Sequence, residues 1–334
     1  IDDHNIDSVH TATYRHAQSE LPPAAFEKLT DASNDYRKKN FENAAYFHEQ
    51  LPLYSIKPFY VLLIYLFYKA GVSLIAATIL PSVLSYICIG ALLFLWMSGI
   101  ISLLKALIFS VLIMLSPPMW EIALSATPDA LSGFLAFLAF FLIVEKRKII
   151  AGLSLLLLCI TVRIDFVFLA LMTLFFLRFS KATEKRITLN VFLLFSILSV
   201  LIFSVIAFGP GNFNRSTIGY YTIVQSDFVQ QFGYNPGVQY LVLLVKGIYG
   251  SRYSVISLFL LLAMVLFFIS KNMVTSEKKF ELQIVFLLLL NIGVRYLLHP
   301  VIEDRFLVAH YLIITVIFLK TLFGQKMDAS IRHQ

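Results

Sequence analysis

The sequence predicts an all-α membrane protein, a polytopic helix bundle of about ten or eleven spans, the first of them expected upstream of Ile1. Three observations carry this. Of the 334 residues, 59% are hydrophobic and 14% charged, where a soluble domain carries about 25% charged. The mean hydropathy is +0.80. Apolar runs of near-span length recur from residue 53 almost to the C-terminus, and the basic residues gather in the short turns between them.

Residues 1–56 are polar and form the first of two expected domains, an extracytoplasmic loop with amphipathic surface helices. Pro22-Pro23 breaks the stretch. The segments 24–29 and 36–49 read as short helices, the second with Asn34 or Asp35 as its cap. Phe41, Ala44, Ala45 and Phe47 give it a partial apolar face. The border with the apolar region is Lys57-Pro58. A proline fits the first turn of a helix, where its missing N–H has no intrahelical partner to lose. Lys57 then lies at the water–lipid edge, either snorkelling as an anchor or facing an anionic headgroup or phosphate.

Residues 57–334 form the second domain, the transmembrane one. The run 53–69 is short and polar-flanked, so it reads as a surface helix. Spans are expected over 74–100, 103–120, 129–144, 149–162, 166–179, 189–208, 253–269, 282–298 and 306–323. Residues 209–252 form a long polar, aromatic loop.

Orientation follows from lysine and arginine in short loops. The turns at 145–148, 178–186 and 271–279 hold three, four and three basic residues, while those at 118–129, 163–165 and 299–305 hold none, one and one. The basic turns are expected in the cytoplasm. The opposite side then receives 1–56, 118–129, 163–165, 209–252 and 299–305. A first loop on that side calls for a span upstream of Ile1.

Every conspicuous edge charge falls on that outer face. Asp2 and Asp3 are adjacent carboxylates, suited to bind a divalent cation or to serve an acceptor hydroxyl as base and orienter; equally, they are an ordinary solvated loop start. Asp129 follows Thr127-Pro128 and fits a helix start whose acid opposes the dipole. Arg163 and Asp165 interrupt the apolar stretch, either as a turn-stabilising ion pair or with the arginine on a phosphate. His299, Glu303, Asp304 and Arg305 crowd one short turn. Tyr220 and Tyr221, among the amides and glycines of the long loop, suit the C–H faces of a sugar or an interfacial aromatic belt.

Other chemistries find no support. No Walker loop, GxSxG, HExxH or GxGxxG occurs. The net charge of +7 resides in the short loops and does not mark a nucleic-acid surface. Cys88 and Cys159 lie in apolar runs, where a disulfide or metal cluster is not expected.

Several stretches resemble the membrane glycosyltransferases of the GT-C superfamily, which include aminoarabinose transferases and protein mannosyltransferases. SIKPFYVLLIYLFYKAGVSLIAATILPSVLSYI resembles their lysine-proline element and the following G…A…P helix. ATPDALSGFLAFLAFFL is similar to a helix that opens with an acid. CITVRIDFVFLALMTLFF is similar to their T-x-R-x-D hairpin, and HPVIEDRFLVAHYLI resembles a late R-F/Y-L element. The likeness covers roughly 50–180 and, more faintly, the last forty residues. A single Pro58 stands where the family has two prolines, and no large C-terminal soluble domain is expected.

The resemblance implies a glycosyltransferase in the bacterial inner membrane, with its site facing the periplasm. The donor would be a sugar on a polyprenyl-phosphate carrier and the acceptor a lipid or glycan. It places Lys57, with Arg163 and Arg305, at the carrier phosphate, and Asp2 or Asp3 at the acceptor hydroxyl. Asp129 supports the same cavity, and Asp165, His299, Glu303, Asp304, Tyr220 and Tyr221 lie about the substrate. No cofactor is required by any motif; a divalent cation, magnesium or manganese, held by Asp2, Asp3 and Asp129, is the one candidate. Two alternatives remain open: a polysaccharide polymerase or ligase acting on polyprenyl diphosphates, and a lipid-linked-sugar transporter or flippase.

Overall fold

A computed structural model describes residues 3–50, 56–180, 186–208, 276–298 and 303–331, with scattered positions between 241 and 265. Every described element is helical.

The N-terminal region holds four helices: α1 (Asp3–Glu20), α2 (Pro23–Leu29), α3 (Asp35–Glu42) and α4 (Ala44–Gln50). Asn34 caps α3 by accepting from the Arg37 N–H at 3.1 Å. The helix expected over 36–49 is two. Asn43 adopts an extended conformation, φ −129° and ψ 105°, and its side chain accepts from the Tyr46 N–H at 3.0 Å. An asparagine that caps the following turn competes with continuation of its own helix. Helix α1 was not anticipated, because Ile6, Val9, Tyr14 and Ala17 make only a thin stripe in an otherwise polar sequence. It is held instead by rings. His10 and Tyr14 pack together at a centroid distance of 4.9 Å and meet Phe41 and Phe47 edge-on or tilted at 5.0–6.0 Å, and His10 bonds the Asn40 carbonyl at 3.0 Å.

Ten helices follow. Helix α5 (Pro58–Lys69) starts with Pro58 in its first turn. Twelve residues rise about 18 Å, short of a bilayer core, as the surface-helix reading requires. Helix α6 (Leu74–Ser98) is capped by Ser73. Its second backbone N–H, that of Ile75, also donates to Glu20 at 3.1 Å, so the end of α1 is pinned to the head of α6.

The run 103–120, expected as one span, is instead an elbow. Helices α7 (Leu103–Met114) and α8 (Pro117–Leu124) meet at 65°. Pro117 and Pro118 have no N–H to continue the ladder of α7, so they open a new helix after Ser116. Helix α9 (Asp129–Phe140) runs into a π-helical turn, Phe141–Glu145. Then come α10 (Ile149–Val162), α11 (Phe166–Phe179), α12 (Leu189–Ala207), α13 (Ser276–Leu298), a short 3-10 turn (Asp304–Leu307) and α14 (Val308–Ile331).

Among the described residues four helical stretches are long and apolar enough to span: 74–98, 189–207, 279–297 and 304–323. The elbow makes a fifth if counted as one. The segments Ile149–Val162 and Phe166–Phe179, expected as spans, are apolar but only 14 residues each. The protein is therefore an integral membrane helix bundle. Outward-facing Leu62, Leu66, Leu103, Leu104, Leu112, Leu194 and Ile197 are exposed, as a lipid-facing surface requires.

Helix α9 is the buried axis. Ala130, Ala136, Phe137, Ala139 and Phe140 are fully enclosed, with α6, α10 and α14 packed around them. Small residues permit the closest approach: a Cβ on Gly152 of α10 would stand 2.8 Å from the Ala139 carbonyl oxygen, the kind of intimate helix contact small side chains allow in membranes.

The bundle has two chemically distinct ends. At one, Asp129, Arg163, Asp165, Arg295 and Arg305 meet. At the other, Lys320 lies 2.8 Å from Glu281 and 3.5 Å from Glu145, and Arg147 sits over Phe280. Asp129 and Glu145 terminate the same continuous helix.

Candidate functional site

The site is assembled from the ends of five separated segments. Asp129 opens α9 and Arg163 and Asp165 form the turn between α10 and α11. Arg295 lies in the last turn of α13, Arg305 in the 3-10 turn before α14, and Lys57 at the cap of α5.

Arg163 is the hinge of the network. Its side chain is only 10% exposed, and it donates to Asp129 through Nη1. It reaches the two oxygens of Asp165 through Nε and Nη2, at 3.1 and 3.0 Å. That is the two-pronged match of guanidinium and carboxylate. Asp165 is shared: Arg295 Nε lies 2.8 Å from its Oδ2. Burial alone pushes the Asp165 carboxyl up, but Arg163 and Arg295 overcome it and hold it down to about 2. Asp129 is buried, with 3% of its side chain exposed. Its Oδ2 accepts from the Thr127 hydroxyl at 2.9 Å and lies 3.8 Å from Arg305 Nε.

Arg305 is the outermost arginine, 25% exposed. Its closest approaches to Glu121, Asp129 and Glu303 all run through Nε. Its only hydrogen bond among the described residues is that Nε contact with Glu303, which leaves the two terminal nitrogens to other partners. Asp304 turns away and accepts from Tyr311 at 2.9 Å. Lys57 is half-buried at the same end. Burial first, and Arg163 and Arg305 after it, hold its ammonium below the ordinary lysine range, against the opposing pull of Asp129 and Asp165.

Buried ion pairs are costly to desolvate and costlier still to break one-sidedly. Five charges of alternating sign, drawn from distant parts of the chain, are not a cheap way to hold helices together. They make a polar end to an apolar bundle whose outermost cations, Lys57 and Arg305, suit an anion.

Of the residues singled out in the sequence, Lys57, Asp129, Arg163, Asp165, Glu303 and Arg305 come together here. Asp304 is beside them. Asp3 begins α1, its side chain outside the described residues, as are Asp2, His299, Tyr220 and Tyr221. Among the described residues no three His, Cys, Asp or Glu side chains group as metal ligands.

Sequence reasoning missed Arg295, Glu121 and Phe306. Arg295 lies within an apolar run, a position where a charge by itself marks a candidate. Phe306 stood in the R-F/Y-L element as Arg305-Phe306-Leu307, but only the arginine beside it was assigned a role.

An apolar cavity of about 340 Å³ lies between the α7–α8 elbow and α14. Leu112, Ser116, Met119, Tyr311, Leu312 and Thr315 are among its lining residues.

Fold and site together define a polytopic α-helical membrane protein with a buried ionic cluster at one end. Comparison with protein-family models, with curated protein sequences and with solved structures finds no match.

Proposed function

We propose that the protein is a membrane glycosyltransferase that moves a sugar from a polyprenyl-phosphate carrier to a lipid or glycan acceptor at the extracytoplasmic face. The observation that supports this most is the convergence of Lys57, Asp129, Arg163, Asp165 and Arg305 at one end of the bundle. In this reading 129–145, 149–162 and 166–179 cross the membrane with the longer helices. The basic turns lie in the cytoplasm.

The reaction is a displacement at the anomeric carbon. The acceptor oxygen bonds to that carbon as the bond from carbon to phosphate oxygen breaks. Asp3 or Asp2 takes the acceptor proton. Lys57 and Arg305 face the departing phosphate and stabilise the charge that gathers on it. Asp129 and Asp165 hold Arg163 and Arg295 in place behind them. Asp129 is taken up by Arg163 and Thr127, so a divalent cation giving further charge stabilisation to the same phosphate would fall to Asp2 and Asp3.

The elbow between α7 and α8 favours a second reading, a lipid-linked-sugar transporter, because broken helices mark transport sites. One experiment separates the two. Purified protein in detergent is given polyprenyl-monophosphate sugars and a lipid acceptor extract, and sugar transfer is counted. Transfer that disappears in Lys57→Ala, with the melting temperature kept, supports the transferase. Movement of the intact donor across proteoliposomes without transfer supports the transporter instead.

A further inference from the structure

Phe306 sits at the centre of the arginines by contacts that charge pairing does not explain. The guanidinium carbons of Arg163 and Arg295 each lie 4.6 Å from its ring centroid, and that of Arg305 lies 5.0 Å away. Arg295 also donates through Nη1 to the Phe306 carbonyl at 2.8 Å. One residue thus touches all three guanidiniums, and one of them twice.

Three cations gathered around a single side chain repel one another. The carboxylates answer unevenly: Asp165 serves both Arg163 and Arg295, Asp129 is taken up chiefly by Arg163 and meets Arg305 only at 3.8 Å, and Arg305 otherwise relies on half-exposed Glu121 and Glu303. An aromatic face carries negative charge, and a guanidinium within about 6 Å of the centroid is attracted to it. A leucine would occupy similar space and offer nothing to a cation.

We propose that Phe306 is a positioning residue for anion binding, its ring holding the three guanidiniums in register. With that hold, Arg163 and Arg295 stay turned to Asp129 and Asp165. Arg305 meets its acids through Nε, and its terminal nitrogens face the incoming anion. Without it, Arg305 is free to swing onto Asp129, whose Oδ2 is already 3.8 Å from its Nε, and the anion loses its outer arginine. The proposal rests on the phosphate-binding reading of this site.

The test replaces Phe306 in the full chain with mono-, di- and trifluorinated phenylalanine, which drain the ring face stepwise with little change in shape. Affinity for dodecyl phosphate is measured in detergent, with dodecanol as the uncharged control, and each variant is melted. Dodecyl phosphate affinity is expected to fall at each step, by about tenfold across the series, while dodecanol binding stays level. Phe306→Trp should keep most of the affinity and Phe306→Leu should match the trifluorinated variant. Unchanged phosphate affinity across the series, or a leucine variant equal to wild type, overturns the proposal. If the wild type binds dodecyl phosphate no better than dodecanol, the phosphate reading of the site fails, and anion positioning fails with it. In that case a stepwise fall in melting temperature would still show that the ring holds the guanidiniums, and a flat one would remove that as well.

Discussion

Asp129 and Asp165 are both acids beside arginines, yet their situations differ, and substitution should separate them from Asp2 and Asp3. Asp129 is enclosed and committed to Arg163 and Thr127. Its replacement by asparagine leaves Arg163 short of a buried partner, a loss of about 3–5 kcal/mol when one side of such a pair is removed. Asp129→Asn is therefore expected to melt at a lower temperature as well as turn over more slowly. If Asp3, or its neighbour Asp2, is the base, asparagine there should lower turnover by at least about a hundredfold and leave melting unchanged. Full activity in all three asparagine variants would make the acids structural and direct the search for the base to the 299–305 turn.

Asp165 gives a pH prediction. Its pKa is held down to about 2 from an ordinary value of 3.8. A lowered folded-state pKa means the unfolded chain binds the proton first, so the stabilisation is complete above the ordinary value and lost as pH falls through the folded one. Melting temperature should therefore drop as pH is lowered from about 4 to 2, and Asp165→Asn should be less stable at neutral pH but lack that component of the drop. A variant that keeps the whole acid transition would show that Asp165 contributes nothing to it.

At the scale of elements, the contact that fixes the site is α9 against α10, because these helices carry Asp129 and lead into Arg163. Gly152 sits at their closest approach. An added Cβ would stand 2.4 Å from Ile143 Cγ1 and 2.8 Å from the Ala139 carbonyl. The isoleucine side chain can turn away but the carbonyl cannot. Gly152→Ala is predicted to cost about 1–3 kcal/mol, the usual cost of overpacking, and Gly152→Val more. Thermal unfolding in detergent measures both. A valine variant as stable as wild type would mean the two helices are less tightly joined than drawn here. Gly90, on α6, is a useful control, since its nearest neighbour is the flexible end of Met114 at 3.4 Å.

At the scale of the whole molecule, the separation of ends makes a topological prediction. Ser33 lies between α2 and α3 on the N-terminal region, and Lys148 lies in the basic turn near Glu145. A cysteine at Ser33 should react with a charged, membrane-impermeant maleimide added to intact cells. A cysteine at Lys148 should react only after the membrane is opened. Native Cys88 and Cys159 lie within apolar helices and stay unlabelled by such a reagent. Labelling of position 148 from outside would invert the orientation and place the ionic cluster in the cytoplasm.

The sequence by itself determined the class of the molecule and most of its helices. Length and continuity of apolar runs are local properties, and so are the stops that proline and glycine impose. The apolar runs therefore reported α6, α12, α13 and α14, Pro58 reported the start of α5, and Asn34 reported a cap. Charge also pointed locally to Lys57, Asp129, Arg163, Asp165 and the 303–305 turn, because a charge at a membrane edge stands out against its neighbours. What local pattern could not carry was α1, which is held by rings from residues some thirty positions away, and the elbow at Ser116, where two prolines open a new helix inside a run expected as one span. Nor could it show which of those charges meet. Arg163 pairs with Asp129 across 34 residues and Arg295 with Asp165 across 130, and Phe306 gathers three guanidiniums whose positions share no spacing. Those partnerships exist only once helices are packed, because a side chain at a helix end finds its neighbours by the crossing of helices and not by its place along the chain.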